Sequence, residues 1–209
     1  MRRTTRAVAI LGLPLLLTTG HLRTAGAQAD DVVRFKITNP GQALYKIAVP
    51  KLLGDGESAQ VMQDVLSADL LASGLFKALD PASFVADLGK EELSIAPDSW
   101  RTVGAEGVIK ARTVSTGGDL SVEFRLYEVI KGDRPVLTKT YRAPTANVRR
   151  LAHIFADEVV RYYTNEDSFF GTQIAFVRPS GRQQELVVMD YDGAGQHALT
   201  SNGSQNILP

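Results

Sequence analysis

Few side chains in this sequence have the types and spacing to do acid–base or metal chemistry. Of three histidines, His21 falls in the N-terminal leader described below, and His197 lies in a β-type loop without a companion. His153 has Asp157 four residues on, and at helical spacing the two share a face, as a general base and its orienting acid would. No serine or cysteine nucleophile is marked nearby, so the expected role of the pair is a surface i,i+4 contact. Asp190-x-Asp192-Gly193 begins like a calcium loop. That loop needs another oxygen ligand before the glycine and a glutamate six residues after it. Val188 and Leu199 stand at those positions, so Asp-Gly reads as a hairpin turn and no metal is expected. Zinc-protease, phosphate-loop and Gly-x-Ser-x-Gly signatures do not occur. The chain has no cysteine, which excludes disulfides, thiolate metal sites and cysteine nucleophiles. The expectation is a binding protein, with no catalytic residues and no cofactor.

The stretch around which the rest is organised is residues 107–141. Leu120, Val122, Phe124 and Leu126 alternate with Ser121, Glu123 and Arg125, a period of two that puts one apolar row on one face of a strand. Residues 108–114 are strand-like before it, with Gly117-Gly118-Asp119 as the turn. Lys131-Gly132-Asp133 turns the chain again before residues 136–141, whose composition suits a pleated sheet. A three-stranded antiparallel meander with one oily face follows. Each of its four apolar side chains is worth roughly 1.5–3 kcal/mol when buried, so that face must be covered. Glu123 and Arg125 are expected on the solvated side.

The cover comes from two amphipathic helices. Val61, Val65, Leu66 and Leu70 recur at a period of 3.6 over residues 59–72, with Ser58 as the expected N-cap and Gly74 as the stop. Leu151, Phe155, Val159 and Tyr162 mark a second helix of about four turns, with Asn147 positioned to cap it. Upstream, Val33, Phe35 and Ile37 alternate with Arg34, Lys36 and Thr38, and residues 45–49 form a short strand closed by Pro50. Pro97-Asp98 opens a short helical segment, and Trp100 within it is expected to anchor the core. Past residue 163 the chain is strand and turn: 174–177, 186–189 and 198–200, about the length of one propeller blade. The fold class is α+β, a mixed or antiparallel sheet with two main helices packed on it, followed by the first strands of a truncated β-propeller.

Arg2, Arg3 and Arg6, then the mostly apolar run 7–17, then Ala25-Gly26-Ala27 describe a signal peptide cleaved after Ala27. Eleven residues in the apolar run are too few to span a bilayer. The expected division is therefore leader 1–27, α+β domain 28–163 and propeller start 164–209. Loss of the leader removes four arginines and no acid, leaving 19 basic against 23 acidic residues and a net charge of −4. An acidic exported chain without a basic block has no footprint for nucleic acid.

The runs Gly118-Asp-Leu-Ser-Val-Glu-Phe-Arg-Leu-Tyr-Glu-Val129, Leu70-Leu-Ala-Ser-Gly-Leu-Phe76, Leu79-Asp-Pro-Ala-Ser-Phe84, Ala152-His-Ile-Phe-Ala-Asp-Glu158 and Thr172-Gln-Ile-Ala-Phe-Val177 resemble the TolB family of the bacterial Tol–Pal system. Met189-Asp-Tyr-Asp-Gly193 is similar to the opening of that family's six-bladed propeller, of which about one blade remains here. The resemblance implies a periplasmic, monomeric, non-enzymatic adaptor that supports outer-membrane integrity and cell division. It implies TolA binding through the mature N-terminal segment and Pal binding through the propeller. Carried over by position, the TolA contact falls on Asp30, Asp31, Val32, Val33, Arg34 and Phe35. A free, alternating segment can add as a strand to a partner's sheet edge. It can equally be the edge strand of its own domain, and the sequence leaves both open. The rival expectation is a propeller-fused serine hydrolase whose catalytic residues lie beyond Pro209.

Overall fold

In the computed structural model, residues 44–181 and 183–203 are described. Leader 1–27 and strand candidate 31–37 lie outside them. The central meander is β4 (Gly107–Thr116), β5 (Asp119–Glu128) and β6 (Leu137–Pro144), antiparallel, with Val122 opposite both Thr113 and Tyr141. Two-residue periodicity is realised in full on β5, where Leu120, Val122, Phe124 and Leu126 are completely buried. The meander is the larger part of a mixed sheet. β1 (Tyr45–Ala48) and β2 (Leu53–Gly54) run parallel to β4, one after the other along its free edge, and β3 (Phe76–Ala78) runs parallel to β1 outside it. Pro50 explains the interruption between β1 and β2, because it cannot donate to the ladder. At Gly54 the backbone takes φ +102°, and a Cβ there would stand 1.8 Å from the Thr113 carbonyl oxygen. Only glycine permits that approach.

Helices α1 (Gly56–Ala72) and α4 (Val148–Thr164) cover the oily face of the sheet and pack on each other. Their stripes meet it through Met62, Val65, Leu66 and Leu70 on α1, and Leu151, Phe155 and Val159 on α4. Phe155 stacks on Phe124 with centroids 4.2 Å apart and planes at 11°. The N-cap of α1 is Asp55, not Ser58. The Asp55 carboxylate accepts from the Glu57 N–H and is shared with the Ser58 and Ser115 hydroxyls. Ser115 and these cap contacts hold Asp55 below the usual carboxylate range. Asn147 precedes α4 but makes no side-chain cap. Asn165 ends that helix in the left-handed region.

The opposite face of the sheet is not simply solvated. Residues 79–105, including α2 (Leu88–Glu91) and α3 (Pro97–Thr102), wrap it and enclose a second small core of Ala48, Ile95, Trp100, Ala105, Val108, Tyr127 and Val129. Trp100 is the anchor expected, and it is fully buried. Its indole N–H donates to the Glu91 carboxylate, which also accepts from the Ala96 N–H and from Lys110 Nζ at 2.7 Å. Lys110 lies on the back of β4 at 3% exposure and Glu91 at 8%. Burial pulls the Lys110 ammonium below its usual range, and Glu91 draws it back up. Farther along this face, Arg125 pairs with Glu123 at 2.6 Å, both partly exposed.

Beyond α4 the chain forms a three-stranded antiparallel sheet, β7 (Gln173–Ser180), β8 (Gln183–Asp190) and β9 (His197–Ala198). This is the strand-and-turn region read from the sequence. Phe170, just before β7, is inserted in the main core, and Tyr191, just after β8, packs against that core.

Candidate functional site

The partner contact expected on Asp30, Asp31, Val32, Val33, Arg34 and Phe35 lies outside the described residues. Two features of the described chain suit the holding of another protein. One is the pair of outer strands, β3 at one side of the main sheet and β6 at the other, each with one ladder partner among the described residues. The other is a hollow of about 410 Å³ lined by Tyr45, Arg101, Ala105, Glu106, Val129 and Ile130. Ile130 stands at its margin 84% exposed. Around it the polar groups are tied: Tyr45 Oη donates to the Glu106 carbonyl at 2.7 Å, Glu106 Oε2 accepts from the Lys46 N–H, and Arg101 donates to the Val129 carbonyl. Glu128, 2% exposed, pairs with Lys131 and accepts from the Tyr162 hydroxyl.

The polar groups best placed to do chemistry meet where the turn after β8 lies against α1 and α4. His153 does not make the surface pair with Asp157 expected of it. It is 2% exposed, and its Nδ1 lies 2.7 Å from Oδ2 of Asp69 on α1. Asp157 instead accepts from the Phe170 and Gly171 N–H groups at 3.1 and 3.0 Å, capping the turn that enters β7. Asp69, 1% exposed, takes its second hydrogen bond from the Tyr191 hydroxyl. Burial, then the Asp69 carboxylate, pushes the Tyr191 hydroxyl well above its ordinary value. The Tyr191 ring lies edge-on to His153 at 5.4 Å. Asp192 pairs with Arg149.

Sequence reasoning passed over Asp69, although a signal was present. Met62, Val65, Leu66, Asp69 and Leu70 are one helical stripe, so a carboxylate stands in a row of core side chains. His153 likewise stands among Leu151, Ala152, Phe155 and Ala156. A charge-bearing residue on each of two stripes that pack together predicts that they meet. His197 is exposed, with Nδ1 3.0 Å from the Gly195 carbonyl oxygen. The arrangement ties a turn of the β7–β9 sheet to both helices. Neither His153 nor His197 hydrogen-bonds a serine or threonine hydroxyl among the described residues.

Comparison with known proteins agrees with the resemblance. The family described as the TolB amino-terminal domain matches residues 33–134. A Tol-Pal system protein TolB of Anaeromyxobacter dehalogenans strain 2CP-C is 45% identical over 168 residues, which are 78% of this chain and 38% of the relative. Its counterpart from strain 2CP-1 is 39% identical over 209 residues, 98% of this chain and 46% of the relative. The Geobacter sulfurreducens protein of the same name is 31% identical over 97% of this chain and 48% of its own length. The chain thus spans less than half the length of these relatives. The crystal structure of TolB from Acinetobacter baumannii superposes with a TM-score of 0.63 at 22% identity, over 77% of this chain and 39% of that one. It supports the fold.

Proposed function

Through residues 33–134 this chain belongs to the TolB family, and from that membership we propose that it works in the periplasm as a non-enzymatic adaptor of the Tol–Pal system. Residues 1–27 act as the export signal. Residues 28–163 are the α+β domain, and residues 164–209 begin a propeller. TolA is taken by the segment containing Asp30, Asp31, Val32, Val33, Arg34 and Phe35, whose alternation suits strand addition to a partner's sheet edge. Pal is taken by the propeller. In this role the protein supports outer-membrane integrity and cell division.

The observation that carries this reading is the match over residues 33–134, with the alignment to Tol-Pal system relatives continuing through the β7–β9 region. The test is calorimetric titration of TolA into the chain with and without residues 28–36. Binding should vanish on deletion while the thermal unfolding temperature stays within a few degrees. Undiminished binding would refute the assignment of the contact, and a large fall in unfolding temperature would make the segment a structural strand of its own domain.

A further inference from the structure

From the seam between α4 and the turn after β8, we infer a binding site for a divalent transition-metal ion, with His153 Nε2, Asp190 and Asp192 as its ligands. One donor atom from each of these residues lies within 4.8 Å of the others. A tetrahedral zinc ion with bonds of about 2.0–2.2 Å holds its ligand atoms about 3.3–3.5 Å apart. His153 Nε2 and Asp192 Oδ2 are already 3.7 Å apart, so small side-chain rotations would close the shell.

The imidazole carries the argument. His153 is almost wholly buried, yet its Nε2 makes no hydrogen bond. An idle, buried ring nitrogen is costly unless something is to meet it. Its other nitrogen, Nδ1, faces the Asp69 carboxylate at 2.7 Å. Asp69 thus meets Nδ1 through Oδ2 and accepts the Tyr191 hydroxyl proton through Oδ1, which leaves Nε2 as the ring nitrogen that faces Asp192. This carboxylate–histidine arrangement orients a metal-ligating imidazole and raises its basicity.

The carboxylates are held as outer-shell contacts hold metal ligands. Asp192 Oδ1 accepts from the Ala194 N–H at 3.0 Å and Oδ2 is shared with Arg149, while Asp190 Oδ1 accepts from Gln173 Nε2 at 3.2 Å. Gly195 leaves the other side of Asp190 open, since a Cβ there would come within 3.2 Å of Oδ2. An adjoining cavity of about 190 Å³, lined by His153, Asp190, Gly171, Thr172 and Arg150, has room for the waters that complete coordination. One imidazole and two carboxylates suit zinc, cobalt or manganese rather than calcium, which takes six to eight oxygens. The ion would staple the β8 turn to α4. The calcium-loop pattern fails at Val188 and Leu199, but the fold supplies His153 where the linear motif has nothing.

Zinc chloride is titrated into the full chain, purified without a histidine tag and stripped with chelator, and read by calorimetry and by thermal unfolding. One equivalent should bind with a rise in unfolding temperature. Asp190→Asn and Asp192→Asn should each weaken binding about tenfold or more, and His153→Gln should abolish it, whereas His197→Gln should leave it unchanged. Because His153→Gln alters a buried position, the deciding variant is Asp190→Asn, at a partly exposed site. No saturable one-equivalent binding overturns the inference. So does binding that Asp190→Asn leaves intact or that His197→Gln removes.

Discussion

Replacement of Glu91 by alanine should be among the most damaging single changes on the back of the sheet, and its cost can be worked from contacts. The carboxylate receives Lys110 Nζ at 2.7 Å, the Trp100 indole N–H at 3.1 Å and the Ala96 N–H at 2.8 Å. Glu91→Ala leaves a buried ammonium and the buried Trp100 indole N–H unpaired, and frees the part-buried Ala96 N–H. Breaking a buried ion pair from one side costs about 3–5 kcal/mol. The charge has a ceiling, because the lysine can shed its proton. From an ordinary value near 10.4, neutralisation at pH 7 costs at most about 5 kcal/mol, at 1.36 kcal/mol per unit. Lys110→Met should cost less, by about 1–2 kcal/mol, because Glu91 keeps both N–H donors. In the double variant Glu91→Ala/Lys110→Met the two penalties should fall well short of adding, with coupling in the range of about 0.5–3 kcal/mol. Trp100 is the single tryptophan of the chain and donates to Glu91 itself. Urea unfolding followed by its fluorescence therefore reports on this core, and circular dichroism checks that the transition is global. A Glu91→Ala cost under about 1 kcal/mol, or the same cost with Met at position 110, would refute the reasoning.

Phe155→Ala removes a fully buried ring stacked on Phe124 and should cost about 3–5 kcal/mol in urea unfolding. Tyr141→Phe should be neutral or stabilising at pH 7, because the Tyr141 hydroxyl is buried without a hydrogen-bond partner; a loss above about 1 kcal/mol would show an interaction that the geometry lacks. Burial also raises the Tyr141 hydroxyl to about 12, with the Glu158 charge adding to it, and burial raises Tyr45, Tyr162, Tyr163 and Tyr191 in the same direction. A raised folded-state value means stability fully present below the unfolded tyrosine value near 10 and lost as pH climbs through the folded one. Lys110, held low, acts with the opposite sign in this alkaline range. The unfolding temperature should therefore be level from pH 7 to 9 and fall above about pH 10, less steeply in Tyr141→Phe; a level curve to pH 11 would contradict it.

Much of this protein was legible in one dimension because burial follows periodicity. Alternation over residues 120–126 specified which row of β5 is dry, and a repeat of 3.6 specified the inward faces of α1 and α4. Those patterns are local consequences of backbone geometry, and tertiary context had only to respect them. The α1 cap was misread by three residues because Ser58 and Asp55 are both good caps. The choice fell to Asp55, whose carboxylate also meets Ser115, 60 residues away in sequence.

What sequence could not decide is which lone polar residues meet. Lys110 and Glu91, and His153 and Asp69 across 84 positions, are each ordinary in their own neighbourhoods. His153 even has a plausible local partner in Asp157, which the fold employs elsewhere. Polar pairing in a core depends on which faces come together, and no period encodes that. A buried group must nevertheless find a counter-group or be costly. The apolar pattern by itself therefore determined the central meander and its roof. Only the packed fold, by excluding water at the α1–α4 seam and behind β4, determined which acids and bases are joined.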